Sequence, residues 1–352
     1  MHILQLNFER GWRGGERQTL LSMQEFRRAG HDVALLARQN GELAQSAQAD
    51  GFTVHACANV LGLCWFLLSR GRRFDILHAQ TANTMTWLAL LKLWLRRPIV
   101  FTRRTAFGLG KWARKAAWKW RCADALVAIS EAAAVEPRRL GLEVVVIRSA
   151  VAAKTLDLTH AQAFAARFGL DGKRVLATAA ALTGEKDPCT LIRAVHGLRQ
   201  QRDDFVLVHL GPGGDAEHAA RGLVQELGLE KHYLFAGFQE RIEDLYHVMD
   251  LFVLSSRQEA LGTSVLDAFL YKVPVVSTNA GGLKESLANG RGLLCEVGDY
   301  QAMSTAMARV LDDAALREGL IDKAQAYVVL EHDPERMAQR YLAEYQRLVA
   351  KV

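Results

Sequence analysis

Short apolar runs that read as buried strand alternate with stretches of helical spacing along most of the chain. In the first half the runs are HILQLNF, DVALLA, FTVHACA, DILHAQ, PIVFTRR, ALVAIS and VVVIRSA. Between them apolar residues recur every three to four positions. They predict helices over about Glu16 to Ala29, through Leu68, over Trp87 to Leu95, near Lys111 to Arg121 and on to Leu140. A weaker polar stretch, about Ala152 to Lys173, reads as a linker with one short helix. The alternation then restarts with RVLATAA, FVLVHLG, YLFAGF, LFVLSS and VPVVST. Its helices fall at Pro188 to Arg199, near Ala216 to Leu227, up to Met249 and over Thr263 to Tyr271. Strands that alternate with helices build parallel sheets. The chain is therefore predicted to be α/β, with two Rossmann-like doubly wound domains of similar length and an interdomain cleft. The expected boundaries are 1–160 and 161–333, with a last helix, 334–352, crossing back to the first domain.

In open parallel sheets ligands bind beyond the carboxyl ends of the strands. The loop Ser255 to Gly262 lies there, between a strand and a helix, and carries Glu259. Gly262 lets main chain approach a ligand, and the amides near Thr263 and Ser264 sit at the positive end of a helix dipole, where a phosphate can be held. A structural reading competes for Asp267: Ser264-Val265-Leu266-Asp267 has the Ser-x-x-acid spacing of a capping box. Glu259 has its own bland reading as a solvated loop carboxylate. Other glycines also follow strands, as Gly11, Gly14 and Gly15, as Gly211, Gly213 and Gly214, and as Gly281 and Gly282. Each pattern alone is most simply a tight turn. Lys186, in AALTGEKDP, follows a strand by a few residues and could neutralise a diphosphate.

Composition changes the picture in two places. Of 352 residues, half are hydrophobic and 23% charged, which suits globular domains. The longest apolar stretches fall short of the roughly 20 residues that cross a bilayer, and the first residues do not read as a secretory leader. Five dispersed cysteines and eleven histidines form no metal-ligand spacing, so reduced thiols and no resident metal or other cofactor are expected. The net charge of +6 is unevenly distributed. Residues 1–150 hold 22 Lys and Arg against 11 Asp and Glu, the remainder 22 against 27, and no acid lies between Asp75 and Asp124. An anionic partner for the first half is implied.

Taken together these segments resemble the family 4 glycosyltransferases of the GT-B fold over most of the chain. Glu259 and Asp267, separated by seven residues and followed by VPVVSTNAGGLKE, look like that family's pair of acids. GEKDPCTLIRA is similar to its Lys-bearing loop, LVHLGPGGD to its Gly-x-Gly turn and GGERQ to its amino-domain Gly loop. The resemblance implies a retaining enzyme that uses a nucleotide-diphosphate sugar. It implies that Glu259 holds donor-sugar hydroxyls and Asp267 the ribose. Lys186, Gly14, Gly15, Gly262, Thr263 and Ser264 surround the diphosphate by the same analogy, and Gly213, Phe238, Arg257 and Leu261 complete the donor side.

Departures from the pattern are equally specific. Ala181 stands where the family usually has an Arg, with Arg257 or Arg148 as substitutes, and Asp267 is shorter by one methylene than the usual Glu. Arg103 and Arg104 stand where many members have a His. Arginine cannot act as a general base, so these two are assigned, with His78, to binding an anionic acceptor, although a lone strand-end His is usually structural. In GKWARKAAWKWRCA, Trp112, Arg114, Lys115, Trp118, Lys119 and Arg121 suggest an anionic membrane surface, with Arg114, Trp118 and Arg121 on one helical face. The alternative is tryptophans packed inside beneath a solvated basic face. The expected partners are a nucleotide-sugar donor and a lipopolysaccharide-core or lipid-linked glycan acceptor. The expected location is cytoplasmic, peripheral at the inner membrane face. No nucleic-acid module is present. A catalytically weak scaffold and a GT-B nucleotide-sugar epimerase are the competing readings.

Overall fold

The computed structural model describes residues 1–351, and the chain forms two compact units, Met1–Ala150 with Glu331–Val352, and Val151–Leu330. In the first unit the strands are β1 (His2–Asn7), β2 (Asp32–Arg38), β3 (Thr53–Cys57), β4 (Ile76–Ala79), β5 (Ile99–Arg103), β6 (Ala125–Ala128) and β7 (Val145–Val146). They pair in parallel in the order β3-β2-β1-β4-β5-β6-β7. Strand order reverses between β1 and β4, so the loops leaving these two neighbours diverge and leave a crevice at their carboxyl ends. On one face Leu4, Leu6, Leu36, Leu77 and Phe101 meet Leu63, Leu67, Leu88 and Trp120 from the covering helices.

The helix Pro334–Val349 belongs to this first unit. Asp333 caps it by accepting from the Arg336 amide, and Pro334 occupies the first helical position, where no amide donor is needed. Its Tyr341 and Tyr345 lie edge-on to Phe26 of the helix Gly14–Arg28, with centroids 6.1 and 5.5 Å away.

The second unit holds β8 (Arg174–Ala179), β9 (Phe205–Leu210), β10 (Tyr233–Gly237), β11 (Leu251–Leu254), β12 (Val275–Thr278) and β13 (Leu293–Cys295). Their order is β10-β9-β8-β11-β12-β13, again all parallel, and it reverses between β8 and β11. Leu176, Leu207 and Val253 pack on Leu191, Val195, Met303 and Met307 to form its core.

Several elements escape the hydrophobic pattern. The helix Glu42–Ala49 buries only Leu43, Ala44 and Ala47, and β13 is three residues long. The helices Tyr300–Asp312 and Ala314–Glu331 are further elements beyond those the alternation predicts. Before Met249 there is one helical turn, Ile242–Leu245, followed by a 3-10 turn, and VVVIRSA pairs only through Val145–Val146. The short helix between the α/β runs is Leu158–Phe168, capped by Asp157 and stopped by Gly169 in the left-handed conformation.

Candidate active site

At the reversal point of the second sheet, the loops after β8 and β11 bring Lys186 and Glu259 together. The Lys186 ammonium donates to Glu259 Oε2 in a tight ion pair, both side chains being mostly buried. Ser256 Oγ lies 3.4 Å from the same carboxylate oxygen. The Lys loop is anchored by Ser255, whose hydroxyl donates to the Lys186 and Asp187 carbonyls at 3.0 and 2.9 Å. Asp187, in the left-handed region (φ 49°), caps the helix Pro188–Arg199 by accepting from the Thr190 amide and hydroxyl. These serines and Asp187 hold the site together yet were not singled out by sequence. Their local contacts, Asp187 to Thr190 and Ser256 to Glu259, look like an ordinary cap and turn, while Ser255 to the Lys186 carbonyl and Asp187 to Arg257 are contacts that only folding makes.

The paired glycines after β12 fix the Glu259 loop from below. A β-carbon on Gly281 would collide with the Glu259 carbonyl oxygen, and one on Gly282 with that of Ala260. Gly281 also has φ +50°, and the Gly282 amide donates to the Glu259 carbonyl at 2.9 Å. The helix Thr263–Leu270 begins after Gly262, which is in the left-handed conformation (φ 78°) and offers no side-chain cap to the first amides. Its amino end is therefore open to an anion. Ser264 is the second helical residue, so the capping-box reading of Ser264 and Asp267 is not realised. Asp267 lies a full turn inside the helix and is buried.

The remaining donor-side expectations separate. The glycine-rich turn after β9 serves close packing: a β-carbon on Gly214 would lie 2.5 Å from the Leu182 carbonyl oxygen, and Pro212 accepts from the Leu182 amide at 3.0 Å. Gly213 faces the Glu217 side chain, so this turn braces the Lys186 loop. Arg257 commits its Nε to Asp187 Oδ2 at 2.8 Å while most of the guanidinium remains exposed. This hydrogen bond and the Asp187 charge raise its pKa above the usual arginine value. Arg148 lies in the first unit, its Nη1 3.4 Å from Glu331. Phe238 is exposed after β10. Leu261 corrects its assignment: its side chain is core, leaving only main chain for a ligand.

At the reversal point of the first sheet, Gly14 and Gly15 open the helix Gly14–Arg28. Asn7, at the end of β1, donates to Glu16 Oε1 and Thr19 Oγ1 at 3.0 and 3.1 Å, while Glu16 Oε2 accepts from the Arg13 amide at 3.0 Å. Arg104 shares this corner. Its Cδ is 3.6 Å from where a β-carbon on Gly15 would sit, and it donates to Gln80 Oε1 at 2.6 Å and Ser149 Oγ at 3.3 Å. Burial lowers its pKa, with Tyr341 and Glu16 opposing.

His78 and Arg103 are not placed to bind an acceptor. His78 is wholly buried, with Nδ1 2.6 Å from the Tyr345 hydroxyl and Nε2 2.7 Å from Thr102 Oγ1. Desolvation, with the nearby Arg104 charge, pushes its pKa well below the ordinary histidine value. Arg103 points to the other face of β5, as strand alternation requires. There it stacks over Trp120 at 4.9 Å and donates to the Phe107 carbonyl at 2.7 Å. The sequence could not show which face the last helix covers.

The basic aromatic segment forms a 3-10 turn, Gly110–Trp112, and the helix Ala113–Arg121. Trp112, Arg114, Lys115, Trp118 and Arg121 are exposed, whereas Trp120 is core. Lys119 is engaged, donating to the Ala82 carbonyl and Thr86 Oγ1. Among the described residues no helix is long and apolar enough to cross a membrane, and no group of three or more His, Cys, Asp or Glu could hold a metal ion.

Comparison with known proteins supplies the class first. HepE of Anabaena, in complex with UDP and glucose, superposes with a TM-score of 0.86 over 99% of this chain and 100% of its own at 20% identity. Sucrose-phosphate synthase of Thermosynechococcus elongatus does so at 0.80, over 100% of each chain and with 16% identity. The fold is that of the GT-B glycosyltransferases. Residues 12–154 match the Glycosyltransferase Family 4 profile and residues 162–327 that of Glycosyl transferases group 1, so the chain carries a glycosyltransferase domain of each kind. A lipopolysaccharide core biosynthesis mannosyltransferase of Rhizobium leguminosarum bv. viciae is 29% identical over 82% of both chains. The match to N-acetyl-alpha-D-glucosaminyl L-malate synthase of Bacillus anthracis, 32% identical, spans 35% of this chain and 32% of that protein. The match to the lipopolysaccharide core glycosyltransferase LpsE of Rhizobium meliloti, 30% identical, spans 44% of each. Over these two relatives the chain thus spans less than half their length.

Proposed function

We propose that the protein is a retaining glycosyltransferase that moves a sugar from a nucleotide-diphosphate sugar to a membrane-borne glycan, a lipopolysaccharide core or lipid-linked saccharide. It works at the inner face of the cytoplasmic membrane without a resident metal. The observation that carries the reading is the Lys186–Glu259 ion pair at the reversal point of the second sheet, beside a helix whose first amides have no side-chain cap. Relatives named as lipopolysaccharide core transferases, and a structural neighbour crystallised with UDP-glucose, support the same donor and acceptor classes.

In this reading the donor divides the ion pair. Its diphosphate takes the Lys186 ammonium and the Thr263 and Ser264 amides, and Glu259 turns its freed lone pairs to the sugar hydroxyls. Asp267 accepts from the ribose. The bond between the anomeric carbon and the phosphate oxygen breaks as the acceptor oxygen attacks the same face, and the acceptor proton passes to the departing phosphate oxygen. Charge builds on that oxygen in the transition state, where each fixed donor contributes about 10²- to 10³-fold in rate. Arg104, beside Gly15, offers a cation to an anionic acceptor.

A panel of UDP, GDP and ADP sugars read by thermal shift tests the donor. The true donor at about 100 times its dissociation constant stabilises by about 2.7 kcal/mol. Transfer to a truncated lipopolysaccharide core, with the product's anomeric configuration read by NMR, tests the rest. No shift with any sugar nucleotide would overturn the reading, and an inverted product would remove its retaining part.

A further inference from the structure

Two neighbouring helices of the first unit, Val60–Arg70 (VLGLCWFLLSR) and Ala82–Leu95 (ANTMTWLALLKLWL), are apolar on more than the face they bury. Leu63, Phe66 and Leu67 of the first, and Met85, Leu88, Ala89 and Leu95 of the second, enter the core. On the outside, Leu61 (79% exposed), Trp65 (73%) and Leu68 follow one another at steps of four and three, and Leu93 (92%) and Trp94 stand three and four positions after Leu90. A helix that is apolar around its girth is normally covered. Isolated exposed leucines need no cause, but this many on adjoining helices form a continuous patch.

The two outer faces are fastened together. Trp94 Nε1 donates to the Leu68 carbonyl at 3.0 Å, and Arg72 donates to the Trp94 carbonyl at 2.7 Å while its guanidinium lies 4.3 Å from the indole ring. Lys119 ties the helix Ala113–Arg121, with exposed Trp112 and Trp118, to the start of Ala82–Leu95. Around the patch the exposed charge is predominantly positive, the nearby Asp124 carboxylate being paired with Lys92 at 2.7 Å. Arg70, Arg72, Arg73 and Arg96 are exposed, and the only acid between Asp50 and Asp124 is Asp75, which accepts from the His2 amide.

We propose that this surface, centred on Leu61, Trp65, Leu93 and Trp94, docks the protein on an anionic lipid bilayer. The leucines and tryptophans enter the boundary between headgroups and acyl chains, and the arginines meet lipid phosphates. A protein partner of opposite charge would answer the arginines, but the continuous apolar centre with tryptophans at its edge matches the layered polarity of a membrane interface. The surface serves the membrane-borne acceptor of the reading above, yet it stands on its own residues.

The test is sedimentation of the full chain with vesicles of phosphatidylcholine, with and without phosphatidylglycerol, at low and high salt. Binding that requires phosphatidylglycerol and weakens with salt is expected. Leu93→Ser with Trp65→Ser should weaken it about tenfold or more, and Arg70→Gln with Arg73→Gln and Arg96→Gln should flatten the salt dependence. Both variants should keep the wild-type melting transition and donor-induced thermal shift. Absence of vesicle binding, or binding unchanged in Leu93→Ser/Trp65→Ser, overturns the proposal. So does a wild-type dimer in sedimentation equilibrium that the same variant makes monomeric, which would give the patch to a second copy. Loss of the donor shift in the wild type, with vesicle binding intact, would instead count against the enzymatic reading alone.

Discussion

Glu259 and Lys186 neutralise one another across two loops, and this makes each the other's competitor for ligand. Glu259→Gln and Lys186→Met should each lower transfer about 10²- to 10³-fold, measured as initial rates with saturating donor. A double-mutant cycle in chemical denaturation should give a coupling of about 1 kcal/mol for this mostly buried pair. Gly281→Ala is expected to cost about 1–3 kcal/mol, because the methyl group needs both the left-handed region and the space of the Glu259 carbonyl. Its transfer rate should fall with its stability, since the obstructed atom belongs to the loop that carries Glu259.

The same residues show what the chain discloses before it folds. Glu259 was legible because an acid in a loop at the end of a strand has few structural duties. Ser255, Ser256 and Asp187 were not, since hydroxyls and a capping carboxylate are common everywhere; Ser256 and Asp187 bond residues three positions away like any turn or cap, and the partners that tie the loops together, Lys186 for Ser255 and Arg257 for Asp187, lie about 70 residues off. His78 and Arg103 were misassigned for another reason. Periodicity shows that Arg103 and Arg104 face opposite sides, but not that the helix Pro334–Val349 covers the side on which His78 lies, nor that Trp120 covers the side of Arg103.

At the scale of elements, one carboxylate fastens the loop around Leu109 to the helix Glu131–Arg139. Glu136, on the helix Glu131–Arg139, accepts from Arg139 at 2.7 and 2.8 Å and from the Leu109 amide at 3.2 Å. The Arg139 hydrogen bonds lead the causes that lower its pKa to about 2 from an ordinary 4.5. A depressed carboxyl pKa contributes stability that is complete above the unfolded value and vanishes as pH falls through the folded one. Melting temperature should therefore lose this contribution between pH 4.5 and about 2, and Glu136→Gln should melt lower at neutral pH while approaching wild type in acid. Long periodic helices such as Pro188–Arg199 were read to the residue, whereas Glu42–Ala49 and β13 bury too little to announce themselves.

At the scale of the whole molecule, the first unit is discontinuous in sequence. Met337, Tyr341, Leu342, Tyr345 and Leu348 are buried on it, each worth about 1.5–3 kcal/mol. That sum rivals the roughly 5–15 kcal/mol by which a domain is stable at all. Removal of residues 334–352 should abolish the cooperative melting of the first unit, read by calorimetry, and leave the donor-induced shift of the second. Synthesis on the ribosome inherits this arrangement. A nascent chain halted at residue 330 has already made every strand of the first sheet, but holds Phe26, His78 and Thr102 bare. Its amino-terminal unit stays incomplete until the helix Pro334–Val349 has left the exit tunnel.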